Sequence, residues 1–233
     1  LINEDNIAHQ QDIPSYLFFG ELWLDGKIKR ANGILPCVIW AIKKWYRHFF
    51  VPQENIYELE YIPNICIYPL SHFQEVVDYF FGWAQISVIN QPKDITQINT
   101  PLSAPDFEHI KWHILAKRAL AIAWAWGHNI ILVGAPWSGK TMLSKAMQSI
   151  LPPLHFEEIL ELSQIYSVVG KLNKDLPLII HRPFRQIHHT ASKISITGGG
   201  ANLTPGEVSL AHKGILFFDE LTEFTRETLE VLR

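Results

Sequence analysis

The feature that most constrains this chain is the run Gly134-Ala-Pro-Trp-Ser-Gly139-Lys140-Thr141. It follows the apolar stretch Asn129-Ile-Ile-Leu-Val133 and precedes the helix-like run Met142–Ile150. Strand, glycine loop and helix with GxxxxGK[ST] spacing form the pattern of a phosphate-binding loop. Backbone N–H groups of such a loop and of the helix start surround phosphates, because those N–H groups have no carbonyl partner of their own. Lys140 supplies a point charge for the outer phosphates of ATP, and the Thr141 hydroxyl ligates Mg²⁺. The cradle comprises Gly134, Ala135, Pro136, Trp137, Ser138, Gly139, Lys140 and Thr141. A chance glycine turn before a helix is the competing reading, and the elements on both sides argue against it.

A second signal lies downstream. Ile215-Leu-Phe-Phe-Asp219-Glu220 is an apolar run ending in two carboxylates. Such a run suits a central parallel strand covered on both faces. Carboxylates at its C-terminal end face the crevice where ligands bind in such sheets. Asp219 is expected to hold Mg²⁺ and Glu220 to act as the general base on water, with Lys140 as the other catalytic residue. Alone, an apolar run before two acids is usually just a strand end, and its value comes from the phosphate loop upstream.

Composition sets the frame. Of 233 residues, 48% are apolar, which is enough for a sizeable core, and 18% are charged. The net charge of −3 points to no polyanionic partner as a whole. Only Cys37 and Cys66 are present, without a CxxC, which excludes a disulfide scaffold and a cysteine-rich zinc site and fits a reducing compartment. Residues 1–12 carry Glu4, Asp5 and Asp12 and read as no signal peptide. Ala119–Gly139 lacks formal charge, but Gly127, His128, Asn129, Gly134 and Pro136 interrupt it, so a buried helix, a turn and a strand explain it better than a membrane span. The chain begins with Leu1 and stops at Arg233 inside a helix-like pattern, which reads as part of a longer frame.

Domain organisation follows from the patterning. Residues 1–82 show short α/β units. Asp25-Gly26 between Phe18–Leu24 and Ile28–Arg30 is a hairpin signal. Ile34–Trp45 reads as a helix, and Phe49-Phe50-Val51 and Ile65–Tyr68 as buried strands. Ser71-His72-Phe73-Gln74 has capping-box spacing before a helix ending near Phe81. Residues 83–104 turn polar and read as a linker. Residues 105–233 begin a new α/β pattern, with a helix to about Trp126, strands Asn129–Val133 and Ile215–Phe218, and a helix over Lys140–Ile150.

Gly134–Thr141, Arg182-Pro-Phe-Arg-Gln-Ile-His-His-Thr-Ala-Ser192, Gly198-Gly-Gly200, Pro205-Gly-Glu-Val-Ser-Leu-Ala-His212 and Gly214–Glu220 together resemble the magnesium-chelatase-like AAA+ ATPases of the ComM/YifB type. Gly20-Glu-Leu-Trp-Leu-Asp-Gly26 through Asn55 and Ile67-Tyr-Pro69 resemble the end of the Lon-protease-like domain that precedes the ATPase in that family. The resemblance implies an α/β fold: a P-loop NTPase (AAA+) parallel-sheet core preceded by a partial Lon-like α/β domain. It implies a cytoplasmic ATPase using ATP and Mg²⁺ and assembling as a ring homo-oligomer, a hexamer in the complete protein, with no membrane partner. ComM-type members act as DNA branch-migration motors in natural transformation. Alternatives are the ATPase subunit of a metal chelatase and a non-catalytic remnant.

Departures from the family pattern qualify those expectations. Leu35 falls about where Lon carries its catalytic lysine, so no peptidase activity is expected. The family's sensor motifs, arginine finger and lid are not recognised after Glu220. Arginine fingers contribute about 10³–10⁵ in rate in related NTPases, so this chain is expected to hydrolyse ATP poorly, with Arg182 and Arg185 as in-chain candidates for reaching a neighbour. Trp45, Trp112, Trp126 and Trp137 stand where the family is expected to have glycine. At Trp137 a positive φ would cost a non-glycine residue about 1–3 kcal/mol, whereas an ordinary φ with the indole in solvent would be harmless.

Between Leu176 and Gly206 there is no Asp or Glu, while Arg182, Arg185, Lys193, His181, His188 and His189 are present. A glycine-bearing hairpin near Gly198–Gly200 touching DNA phosphates is one reading. Structural or inter-subunit arginines beside a plain turn is the other, and both stay open. His188-His189 suggests metal only weakly, because adjacent residues seldom converge on one ion and no third ligand stands at helical spacing. Lys43, Lys44, Arg47 and His48 mark a helix C-terminus, where cations are favourable.

Overall fold

The computed structural model describes residues 15–98, 100–101, 104–200, 203–230 and 232. The leader question at residues 1–12 lies outside them. The chain forms two compact units, the described residues of Leu1–Asn99 with Ser163–Leu178, and those of Thr100–Leu162 with Ile179–Arg233.

The first unit is built on a parallel sheet in the order β1 (Tyr16–Phe18), β4 (His48–Pro52), β5 (Cys66–Leu70). Phe49 of β4 pairs with Leu17 on one side and Ile67 on the other. The run Phe49-Phe50-Val51 is fully buried, as a strand flanked on both edges and both faces should be. Tyr16, Phe18, Phe50, Tyr68 and Phe80 pack ring against ring beside it, with the Phe18 and Phe50 rings stacked at 4.8 Å. The expected hairpin is present but short. β2 (Glu21–Leu22) pairs antiparallel with β3 (Ile28–Lys29), and Gly26 takes φ 83 at the turn.

Helix α1 (Ile34–Lys43) buries Ile34, Leu35, Val38 and Ala41, one stripe at helical spacing. Pro36 sits in its first turn, where a missing N–H leaves no bond broken. The helix closes with Tyr46 N donating to Ala41 O and Trp45 N to Ile42 O, the paired bonds of a Schellman cap. That cap puts Trp45 at φ 72, in the left-handed region. Helix α2 (Ile56–Leu59) carries Glu58, which is buried. Glu58 accepts from Ser167 Oγ at 2.6 Å and from Asn55 Nδ2 at 2.5 Å. Helix α3 (Phe73–Phe80) starts one residue later than its sequence spacing suggests. His72 is the N-cap, its Nδ1 accepting from Gln74 N, while Glu75 reaches back to Ser71 N.

The second unit holds α4 (Ile114–Ala125), α5 (Lys140–Ala146), extended by a 3₁₀ turn over Met147–Ile150, and α6 (Phe156–Val168), whose last residues fall in the first unit. It also holds the parallel pair β6 (Phe184–Ile187) and β9 (Ile215–Phe218). Between those strands lie α7 (Lys193–Thr197), a glycine hairpin of β7 (Gly198–Gly199) with β8 (Thr204–Pro205), and α8 (Glu207–Leu210). Short α9 (Arg226–Glu230) follows. Leu120, Leu143, Ala146, Met147, Phe107 and Ile110 make its main core.

Two expectations are corrected in this unit. Residues 129–133 form no strand, because no neighbouring strand among the described residues offers a hydrogen-bond ladder. Only Leu132 turns inward onto the core, while Ile131 and Val133 are 72% and 93% exposed. Strand β9 is parallel, as its apolar run suggests, but it is half-buried rather than covered on both faces, and among the described residues it pairs with β6 alone. No helix of the described residues is long and apolar enough to cross a membrane, and α4 ends at Ala125.

Candidate phosphate-binding site

The loop between residue 133 and α5 has the shape its glycines permit. Gly139 takes φ 84 as the N-cap of α5, and no side chain caps the helix there. The first N–H groups of α5 are therefore left for a ligand, as the start of any helix leaves them. Lys140 Nζ turns back across the loop and donates to Gly134 O at 2.9 Å and Ala135 O at 2.8 Å. Ser138 Oγ lies 3.4 Å from the same ammonium. A Cβ on Gly134 would come within 3.1 Å of Ser138 Oγ, tighter than side chains usually tolerate. The ammonium, the hydroxyl and the uncapped helix start thus crowd one concave turn, and this donor set fits an anionic phosphate chain.

Trp137 takes the positive φ of the first sequence alternative, with the solvent-facing indole of the second. Its φ is 63, the left-handed region, and its indole is 102% exposed. The backbone carries the strain of a glycine position while the ring lies in solvent and leaves the cradle open. Of the other three tryptophans at expected glycine positions, Trp45 shares the left-handed φ, while Trp112 and Trp126 do not. At the end of α4 the left-handed residue is Gly127, φ 66, one place after Trp126.

The carboxylates sit at the C-terminal end of β9. Asp219 N donates to Ile187 O at 3.3 Å, carrying the parallel ladder one step beyond β9. Asp219 Oδ2 accepts from Gln186 Nε2 at 3.0 Å, which orients the side chain. Glu220 follows at φ 53, strained for a residue with a Cβ, and its Oε2 lies 3.2 Å from His189 Nδ1. Thr141 is half-buried in the first turn of α5.

The two arginines are held inside the unit. Arg182 donates to Pro152 O and Lys213 O, each at 2.8 Å, and pairs with Glu158 at 3.2 Å. Arg185 makes a two-pronged bond to Glu207, at 2.5 and 2.7 Å. Their donors are committed to structural partners, which favours the structural reading over fingers reaching a neighbour. The glycine hairpin is real. A Cβ on Gly198 would stand 2.7 Å from Thr204 O and Gly206 N, so β7 and β8 can approach only with glycine there. The hairpin tip, Ala201 and Asn202, lies outside the described residues.

The family described as "Magnesium chelatase, subunit ChlI" matches residues 106–233, and "Subunit ChlI of Mg-chelatase" matches residues 2–55. The chain belongs to this magnesium-chelatase-like family. Within it the chain is of the ComM/YifB type. It is 38% identical over 225 residues to the uncharacterized protein YifB of Salmonella typhimurium, covering 95% of this chain and 43% of that protein. It is 33% identical over 227 residues to the competence protein ComM of Haemophilus influenzae, with the same coverage of each. An uncharacterized protein of Mycobacterium tuberculosis is 35% identical over 222 residues, again at 95% and 43%. The magnesium-chelatase-like chain thus spans under half the length of these relatives.

Sequence reasoning passed over two features of the site. One is the pair formed by Glu220 and His189. The signal was available: if β6 and β9 run parallel with Ile187 beside Phe218, the residues after each strand end lie side by side. The other is Gln186, whose amide holds Asp219 and whose type alone signals nothing.

Proposed function

We propose that this chain carries the ATP-binding core of a ComM/YifB-type AAA+ ATPase, preceded by part of a Lon-like domain. In this reading Gly134–Thr141 binds the phosphates, Lys140 neutralises their charge, and Glu220 is the general base for water. The Thr141 hydroxyl and the Asp219 carboxylate would hold Mg²⁺, which supplies charge neutralisation at the phosphates. The observation that carries the reading is the loop itself. Lys140 Nζ rests on Gly134 O and Ala135 O above an uncapped helix start, so a phosphate gains a cation and free N–H groups together. In the whole protein the activity is ATP-driven remodelling of branched DNA by a ring homo-oligomer, a hexamer. The family match and the competence name of the ComM relative support the ATPase and competence part of this reading, and the DNA and ring parts rest on the family resemblance. Because Arg182 and Arg185 are engaged within their own unit, the arginine that completes hydrolysis comes from another part of the full protein or from its neighbour.

A non-catalytic remnant is the second reading, and the strained Trp45 and Trp137 favour it. Titration of labelled ATP with Mg²⁺ separates the two. Lys140→Ala should weaken binding tenfold or more, since hydrogen bonds from a charged donor are each worth about 1.5–3 kcal/mol. Equal affinity in parent and variant would defeat the phosphate-loop assignment, and absence of binding by both would support the remnant.

A further inference from the structure

His188, His189 and Glu220 place one ligand atom each within 4.8 Å of one another. Adjacent histidines on a regular strand would point to opposite faces. Here β6 ends at Ile187 and the chain turns at Thr190, so both imidazoles fall on one side with ring centroids 4.1 Å apart. The parallel register then sets Glu220 beside them. His188 Nδ1 lies 3.2 Å from Thr190 Oγ1, which fixes that nitrogen and leaves Nε2 as the free donor to an ion. His189 Nδ1 is the decisive atom. It is shut off from water and 3.2 Å from Glu220 Oε2, yet it has no aligned hydrogen-bond partner among the described residues. A buried nitrogen facing a carboxylate without a hydrogen bond between them is an arrangement that a shared cation satisfies.

We infer that His188, His189 and Glu220 form a binding site for a borderline divalent ion of the Zn²⁺, Co²⁺ and Ni²⁺ class. Two imidazoles and a carboxylate are the donors such ions prefer, with water completing the shell, whereas Mg²⁺ demands oxygen. A tetrahedral ion with bonds of about 2.1 Å holds its ligand atoms about 3.4 Å apart. The His189–Glu220 edge, at 3.2 Å, is close to that length, and all three ligand atoms lie within 4.8 Å of one another. Binding engages the carboxylate of Glu220. If Glu220 is the general base, as the proposed function has it, the ion competes with hydrolysis and switches the site off. That consequence rests on the ATPase reading, while the binding itself does not.

The test titrates Zn²⁺ into the chain against a chelating indicator, with no nucleotide present, and reads the visible absorption of Co²⁺ at the same site. Binding that falls on the order of tenfold or more in the His188→Ala/His189→Ala double variant and in Glu220→Gln is the expected result. His212→Ala is the control. It removes a different histidine–carboxylate contact, to Glu161 at 3.0 Å, and should leave the tight site intact. Failure of the parent to bind Zn²⁺ would overturn the inference. So would unchanged stoichiometry and affinity in the double variant, folded by circular dichroism. Should the double variant not fold, unchanged affinity in Glu220→Gln decides against it. Metal binding without ATP binding would leave this site standing and remove the ATPase reading; ATP binding without metal binding would do the reverse.

Discussion

Phe49-Phe50-Val51 and Ile130-Ile131-Leu132-Val133 are both short, β-prone apolar runs, and they meet opposite environments. The first is a strand with a parallel neighbour on each edge and no exposed side chain. The second has no regular secondary structure and no strand partner among the described residues, and turns only Leu132 into a core. Composition does not separate them. A strand is a property of a pair, because its N–H and C=O groups must find partners on another segment. The difference teaches that an apolar run fixes the tendency to extend, while the neighbours decide whether burial follows.

The largest expected effect tests that contrast directly. Phe50→Ala should cost about 3–5 kcal/mol, as emptying a packed aromatic site does. Val133→Ala should stay within about 0.5 kcal/mol, as an exposed substitution does. Denaturant unfolding of both variants makes the comparison. A Val133→Ala cost of about 2 kcal/mol or more would mean that residues 129–133 are covered in solution.

The well-packed unit should also carry a distinctive pH response. Burial pushes the Glu58 carboxyl above its ordinary value of 4.5, against the pull of hydrogen bonds from Ser167 and Asn55 and of the Arg30 charge. A raised carboxyl favours the folded state while protonated. Its contribution is therefore complete below about pH 4.5 and is lost as pH rises through the raised value. Glu58→Gln should flatten the dependence of stability on pH above 4.5, measured by urea midpoints across that range. An unchanged slope would place the titration elsewhere.

A smaller effect compares two helix ends. Both α1 and α4 close with the same paired bonds, but Trp45 occupies the left-handed position in one and Gly127 in the other. Trp45→Gly should stabilise and Gly127→Ala should destabilise, each by about 1 kcal/mol. Nothing lies within 4 Å of a Cβ built on Gly127, so backbone strain alone would act there. Thermal melts of the two variants shifting in the same direction would break the symmetry.

Much of the site was legible because its parts are local. The span from Gly134 to Thr141 is a loop and one helical turn, and its glycines and lysine act on neighbours a few residues away. Asp219 and Glu220 were legible as a strand end. The partners of Arg182 and Arg185 were not. Glu158 and Glu207 stand 24 and 22 residues away, and only the tertiary fold brings them within reach. His188 and His189 signal a metal only weakly in sequence, because they are adjacent and no third ligand stands at helical spacing. A parallel ladder supplies the third, Glu220.

By itself the sequence determined the helical stripes, the phosphate-loop spacing and the apolar runs, because each depends on residues one or two turns apart. The family resemblance sets an expectation of glycine at Trp45, Trp112, Trp126 and Trp137, and the backbone takes the left-handed region at Trp45 and Trp137. Tertiary structure alone decided which apolar run became a strand, which arginines were free, and whether two neighbouring histidines faced one carboxylate. Those outcomes depend on segments tens of residues apart meeting in register, and no local preference encodes which edge a strand will find.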